Sequence, residues 1–152
     1  MSENVVANGL DEDYEIHFNI EKISEIENLD ENVVFIFYND NLVMIFDSKK
    51  KAWELPSGKK EGNETHLECI KREAFKKTGA ILESAFPIGY YINRKDKPIV
   101  KKAIYYGKAT RFETRTDWGE ADLVKLFDEL PQELLERNIY SIILNYIRFQ
   151  NK

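Results

Sequence analysis

The chain of 152 residues has one cysteine, Cys69, two histidines, and no strongly apolar run longer than stretches such as VVFIFY. A lone cysteine makes no internal disulfide, so folding needs no oxidising compartment. His17 and His66 are too few and too far apart for a zinc site. A bilayer span takes about 20 apolar residues, and no stretch comes near that. Positive charge is also short. Lys and Arg number 22 against 27 Asp and Glu, a net charge of −5, which removes the broad electrostatic case for extended nucleic-acid binding. The opening MSENVVANGLDEDYEIH lacks the basic start and apolar stretch of a signal peptide. These absences predict a soluble, cytoplasmic protein with no membrane attachment, of the size of one ordinary domain.

What is present alternates between strand and helix patterns. Residues 1–13 are polar and acidic and read as a flexible tail, with one domain over 14–152. YEIHFNI reads as a strand. VVFIFYNDNLVMIF is two β-rich runs around Asn39-Asp40-Asn41, a hairpin pattern because Asn and Asp tolerate left-handed backbone. AWELPSG reads as a short strand ending in a Pro/Gly turn, and residues 65–78 as a helix. In that helix Leu67, Ile70 and Ala74 fall at i, i+3 and i+7, one stripe expected to face a sheet while Glu73 and Lys77 face a cleft. Gly79 suits the left-handed position after it. ILESAFPIGYYIN and PIVKKAIYYGKAT are two more strands joined by Lys95-Asp96-Lys97-Pro98, and residues 110–121 read as a polar loop. DLVKLF is a short strand, DELP a turn, and Ile139, Ile142, Ile143, Tyr146 and Ile147 form the apolar face of a final helix. This order predicts an α+β fold, an α/β/α sandwich with a mixed sheet and helices on both sides.

The chemistry gathers in GKKEGNETHLECIKREAFKKTG, residues 58–79. Gly58 is followed after five residues by Glu64, then after seven by Arg72-Glu73, and Gly79 comes six residues after Glu73. This pattern resembles the box of the Nudix (MutT-like) hydrolases, in which a glycine, a glutamate, Arg-Glu, a Glu-Glu pair and a final glycine recur at these spacings. The lead-in WELPSGK and the later EADLVKLFDELP resemble the family's flanking segments, so the likeness runs over roughly residues 33–131. Its details resemble nucleoside triphosphate diphosphatases of the MutT and YtkD type. The resemblance implies hydrolysis of a nucleoside diphosphate linked to a further group X, with Mg2+ or Mn2+ held by glutamates of the box helix. The metal would neutralise phosphate charge and activate water, and hard cations want several oxygen ligands.

Carried over residue by residue, Glu73 matches the first helical metal ligand and a catalytic position. Arg72 matches the arginine that braces the loop, with Glu64 as its acidic partner. Gly58 and Gly79 match the structural glycines. Glu120 loosely matches a late glutamate that assists metal or base. Ser57 and Asn63 stand in place of two usual glycines. The largest departure is Lys76 and Lys77, which occupy the positions of the Glu-Glu pair. Both lie within one helical turn of Glu73. Replacing two acids by two ammonium groups changes the local charge by about four units, and one charge pair at about 4 Å is worth about 4 kcal/mol at an effective dielectric of about 20. A protonated lysine has donors only and ligates no cation. It does bind phosphate as a point charge.

The expectation is therefore a Nudix-family protein that binds a nucleotide or other small diphosphate ligand through Lys76, Lys77 and Lys59. Its metal site, formed by Glu73, Glu64 and Glu68 if at all, is weak or absent, and so is its hydrolysis. Two alternatives stand beside it: an active hydrolase that recruits metal through Glu61, Glu64, Glu68, Glu73 and Glu120, and a non-catalytic protein-interaction module. Elsewhere, His66 near the helix start reads as a surface residue and Cys69 as a core thiol. Among Trp53, Tyr90, Tyr91, Tyr105, Tyr106 and Trp118 most read as core rather than as a base-stacking platform.

Overall fold

A computed structural model describes residues 5–6, 13–18, 29, 31–95, 97–114, 123–134 and 137–150. The described residues form nine strands and two helices: β1 (Val5–Val6), β2 (Tyr14–Phe18), β3 (Glu31–Tyr38), β4 (Asn41–Asp47), β5 (Ala52–Glu54), β6 (Ser57–Lys59), α1 (His66–Thr78), β7 (Ala80–Asn93), β8 (Val100–Phe112), β9 (Leu123–Phe127) and α2 (Arg137–Gln150). The strands make one sheet in the order β1-β2-β7-β8-β3-β4-β5, with β6 on β3 and β9 on β4. Antiparallel pairs dominate, and β3 with β8 is parallel, so the sheet is mixed as expected.

Strand β3 organises the molecule. Side chains alternate across a strand, and β3 is apolar on both faces. Val33, Phe35 and Phe37 join Leu42, Met44, Leu55, Tyr91 and Ile104 in a core covered by Ile139, Tyr140, Ile143, Leu144 and Ile147 of α2. Val34 and Ile36 join Val43, Leu82, Ala103, Tyr105 and Ala109 under Ile70 and Ala74 of α1. One helix thus lies on each side of the sheet, the α/β/α arrangement that the element order predicts.

The β3–β4 turn is the two-residue one read from Asn39-Asp40. Tyr38 pairs with Asn41, and Asn39 and Asp40 take φ of 49° and 67°. Both positive values belong to the tight turn whose twist matches that of the strands. One edge of β3 is shared. Its C-terminal end pairs with β4, while Glu31, Asn32 and Val33 pair with Lys59, Gly58 and Ser57 of β6. This corrects the expected Pro/Gly turn, because Ser57-Gly58 is a strand that fills the part of the β3 edge left open as β4 departs. Strand β8 also runs further than expected, to Phe112. Within the expected tail, Val5 and Val6 pair with His17 and Phe18 as β1. Asp96 and Trp118 lie outside the described residues.

Candidate functional site

The box is a loop that leaves β6 and enters α1, and its sequence caps that helix twice. Thr65 Oγ1 accepts the Glu68 N–H at 3.1 Å, and Glu68 Oε1 accepts the Thr65 N–H at 2.9 Å. This reciprocal capping box satisfies two amide donors that a helix start otherwise leaves orphaned. At the other end Gly79 has φ 79° and donates its N–H to the Phe75 carbonyl at 2.8 Å. A side chain at such φ would be strained.

The buried side of α1 is His66, Cys69, Ile70, Glu73, Ala74 and Thr78. Leu67, expected in that stripe, is 41% exposed, so the stripe is rotated by one residue. The rotation puts His66 where Leu67 was expected, and the expectation of a surface His66 is likewise corrected. His66 Nδ1 lies 2.6 Å from Oδ1 of Asn32, which is fully buried, and the imidazole stacks over Tyr105 with centroids 6.3 Å apart. Asn32 also donates from Nδ2 to Cys69 Sγ at 3.4 Å. Cys69 is buried in this packing, and burial pushes its thiol pKa up, which disfavours a nucleophilic thiolate.

Arg72 ties the loop to the helix. Its Nε lies 2.6 Å from Glu64 Oε2 and its Nη2 3.0 Å from Glu64 Oε1, a two-pronged pair. The same Nη2 donates to the Lys59 carbonyl at 3.0 Å, and Nη1 lies 2.5 Å from Glu73 Oε1. Glu64 Oε1 in addition accepts the Glu61 N–H at 2.9 Å. The Arg72 hydrogen bonds hold the Glu64 carboxyl at a pKa of about 2, and Glu64 in turn raises that of Arg72. One guanidinium thus joins β6, the loop and α1, a task that suits its planar set of five donors.

Glu73 sits behind this brace with its side chain 8% exposed. Its Oε1 takes Arg72, and its Oε2 lies 3.3 Å from Lys77 Nζ. A Cβ on Gly58 would stand 2.4 Å from Glu73 Cδ, so the buried carboxylate requires glycine there. Lys77 Nζ also donates to the Ser57 carbonyl at 2.5 Å. Across Ser57, Lys102 of β8 reaches to 3.4 Å from the Ser57 hydroxyl.

The structure therefore brings Glu64, Arg72, Glu73, Gly58 and Lys77 together. Lys76 is half-buried one position before Lys77. Lys59 points elsewhere: its side chain is 72% exposed and lies 3.9 Å from Glu31. Glu68 is engaged in the helix cap, and Glu61 is 69% exposed at 3.6 Å from Arg72 Nη1. Glu120 lies outside the described residues. Glu73 and Lys77, expected to face a cleft, contact each other. A cavity of about 650 Å3 opens at the other end of β3, lined among others by Phe37, Tyr38, Tyr106, Lys108 and Arg148. Of the aromatic residues, Tyr91 and Tyr105 are core, while Trp53 packs edge-on against Phe46 and Phe127. Sequence reading missed two site residues. Asn32 looks like a polar interruption at the start of an apolar strand, and Lys102 gains its place only through strand register.

A divalent metal fits these donors poorly. Both Glu73 oxygens face internal cations, both Glu64 oxygens face Arg72, and Glu68 accepts a backbone N–H. Among the described residues no three His, Cys, Asp or Glu side chains converge as a metal would need.

No family model matches the chain. Over 102 residues it is 32% identical to YtkD of Bacillus subtilis (strain 168), a candidate 8-oxo-dGTP diphosphatase; the match takes in 66% of this chain and 64% of that protein, a little under two thirds of its length. Among solved structures, the pyrophosphohydrolase BsRppH of Bacillus subtilis superposes with a TM-score of 0.76 at 20% identity, covering 90% of each chain. A Nudix-family hydrolase from Clostridium perfringens gives 0.61 at 21% identity, covering 73% of this chain and 91% of that one. At such identities these two similarities speak to the fold. Fold, box spacing and the YtkD match together support a place for the chain in the Nudix superfamily.

Proposed function

We propose that the protein binds a nucleoside-diphosphate-type ligand at the box and hydrolyses it weakly or not at all. The observation that carries this reading is the state of Glu73. It is the one glutamate retained among the three helical positions at 73, 76 and 77, and each of its oxygens is held by an internal cation, Arg72 or Lys77. Solvating, orienting and polarising water near the phosphates is metal work in this family, and an ammonium group has no vacant site to perform it. Binding is a separate matter. The brace from Arg72 to Glu64 keeps the loop in place, and the lysines around Ser57 offer point charges to phosphoryl oxygens. Support for a nucleotide ligand comes from the kinship with YtkD and the likeness to BsRppH, whose names describe a diphosphatase and a pyrophosphohydrolase. We place the activity in the cytoplasm, within one domain spanning 14–152.

The test is a pyrophosphohydrolase screen over nucleoside triphosphates with Mg2+ and Mn2+, run beside thermal-shift measurements, with Glu73→Gln as control. The expected outcome is little turnover together with ligand-induced stabilisation. Metal-dependent turnover abolished by Glu73→Gln would establish the active-hydrolase alternative instead. Neither turnover nor stabilisation would point to an interaction module.

A further inference from the structure

Lys77 occupies an unusual pair of partners. Its Nζ lies 3.3 Å from Glu73 Oε2 and 2.5 Å from the Ser57 carbonyl oxygen. A carboxylate oxygen beside a backbone carbonyl oxygen is the donor combination that a hard cation takes. Here both oxygens face an ammonium on the same helix, one turn from the carboxylate. Lys77 is held in: its side chain is 20% exposed and that of Glu73 is 8% exposed. The local charges close in pairs, Arg72 with Glu64 and Lys77 with Glu73. Lys102 is left over. It reaches the Ser57 hydroxyl at 3.4 Å, and among the described residues it makes no ion pair with a carboxylate. Ser57 is thus flanked by two ammonium groups, one on its carbonyl and one on its hydroxyl.

We propose that Lys77 is a tethered cation standing in place of a metal, and that Lys102 with the Ser57 hydroxyl is the seat for the diphosphate, which therefore binds without metal. The proposal rests on the reading of the box as a diphosphate site and assigns its parts differently from the sequence. Lys77 neutralises Glu73, so an approaching phosphate meets no net negative charge. Lys102 and the Ser57 O–H then donate to phosphoryl oxygens. The seat is half-exposed, as a ligand contact must be, and both donors belong to strands, β8 and β6, that the sheet holds in register with β3. No bond is made or broken in this step.

Two measurements on the full chain decide it. Calorimetric titration with inorganic pyrophosphate, in EDTA and again with Mg2+, is expected to give the same affinity in both for the wild type. Lys102→Met is expected to weaken that affinity at least tenfold without moving the melting temperature. Pyrophosphate binding that needs Mg2+ overturns metal-free binding while leaving the diphosphate reading intact, and binding unchanged in Lys102→Met overturns the seat. Absence of pyrophosphate binding in either buffer overturns the seat and the diphosphate reading together. The second measurement needs no phosphate ligand. Millimolar Mn2+ is expected to leave the wild-type melting temperature alone and to raise that of Lys77→Met, in which the Glu73 and Ser57 oxygens are released. A further Glu73→Gln change is expected to cancel the rise. A Mn2+ response in the wild type that Glu73→Gln removes, or the same absence of response in wild type and Lys77→Met, overturns the tethered cation. Should Lys77→Met fail to fold, the wild-type titrations and Lys102→Met still decide the proposal.

Discussion

The two halves of α1 keep different company. The first half, from the Thr65 cap to Arg72, is all frame: a reciprocal cap, a buried imidazole on Asn32, and a guanidinium pinned to Glu64. The second half holds the charges on which chemistry would depend, and there Glu73 is matched by Lys77 rather than by further acids. The frame keeps family spacing while the centre changes sign. Brace and reacting centre adjoin where Arg72 meets Glu73: the brace runs from Arg72 to Glu64 and the loop, whereas the charges that changed sign, Lys76 and Lys77, lie one turn further along.

The largest effect is expected from Arg72→Ala, which strikes the frame. It takes the guanidinium from Glu64 Oε2 and Glu73 Oε1 and frees the Lys59 carbonyl. Leaving such groups without partners costs about 2–3 kcal/mol, and in a domain of this size that lowers the melting temperature by roughly 5–10 °C. A melting temperature within a degree of the wild type would show that the loop is held by something other than the brace.

Next comes the centre. Lys76→Glu/Lys77→Glu puts three carboxylates on one helical turn with Glu73. Without metal the double variant is expected to lose about 1–2 kcal/mol through like-charge repulsion and the loss of the Glu73 partner. Magnesium should restore the loss, since binding to the folded state alone stabilises it. Calorimetric titration checks both halves of this statement. Tight Mg2+ binding by the wild type, or none by the double variant, would show that the lysines do not govern the site.

A third expectation follows from pH. Glu64 is held at a pKa of about 2 against an ordinary 4.5, chiefly by its hydrogen bonds from Arg72. A depressed carboxylate adds stability above its unfolded pKa, and that stability is lost as pH falls through the folded value. The frame should therefore weaken between about pH 4.5 and 2. Melting curves of the wild type and Glu64→Gln over that window are expected to converge as the pH falls, and parallel curves would mean that the pair adds nothing.

Much of this organisation is legible in the sequence, and the gaps have physical causes. Asn39-Asp40 marks the hairpin because few residue pairs accept two successive positive φ values. The pairing of Arg72 with Glu64 is legible through the resemblance of the box to the Nudix motif. Leu67 misled because three apolar residues at i, i+3 and i+7 set a period but not its phase. The true stripe includes His66 and Glu73, polar residues that an apolar count ignores. Ser57-Gly58 reads as a turn by residue type, yet an open strand edge makes it β6. Lys102 is 45 residues from Ser57, and the pairings of β8 and of β6 with β3 bring them together. Contacts set by long-range register leave no local trace.

The smallest expected effect separates two roles for Glu68. By type and position it is a candidate metal ligand, but in the fold its Oε1 accepts the Thr65 N–H while Thr65 Oγ1 accepts the Glu68 N–H. It belongs to the frame. Glu68→Ala removes half of the capping box and some favourable charge at the helix start, a cost of about 0.5–1 kcal/mol. Glu68→Gln keeps a side-chain oxygen for the Thr65 N–H and should recover most of that loss. Neither change should alter pyrophosphate affinity, because Glu68 sits a full turn before Glu73 and on the exposed side of α1. Thermal melts and pyrophosphate titrations of both variants make the check. A drop in affinity with an unchanged melting temperature would move Glu68 out of the frame and into the centre, and the division of α1 into two halves would fail with it.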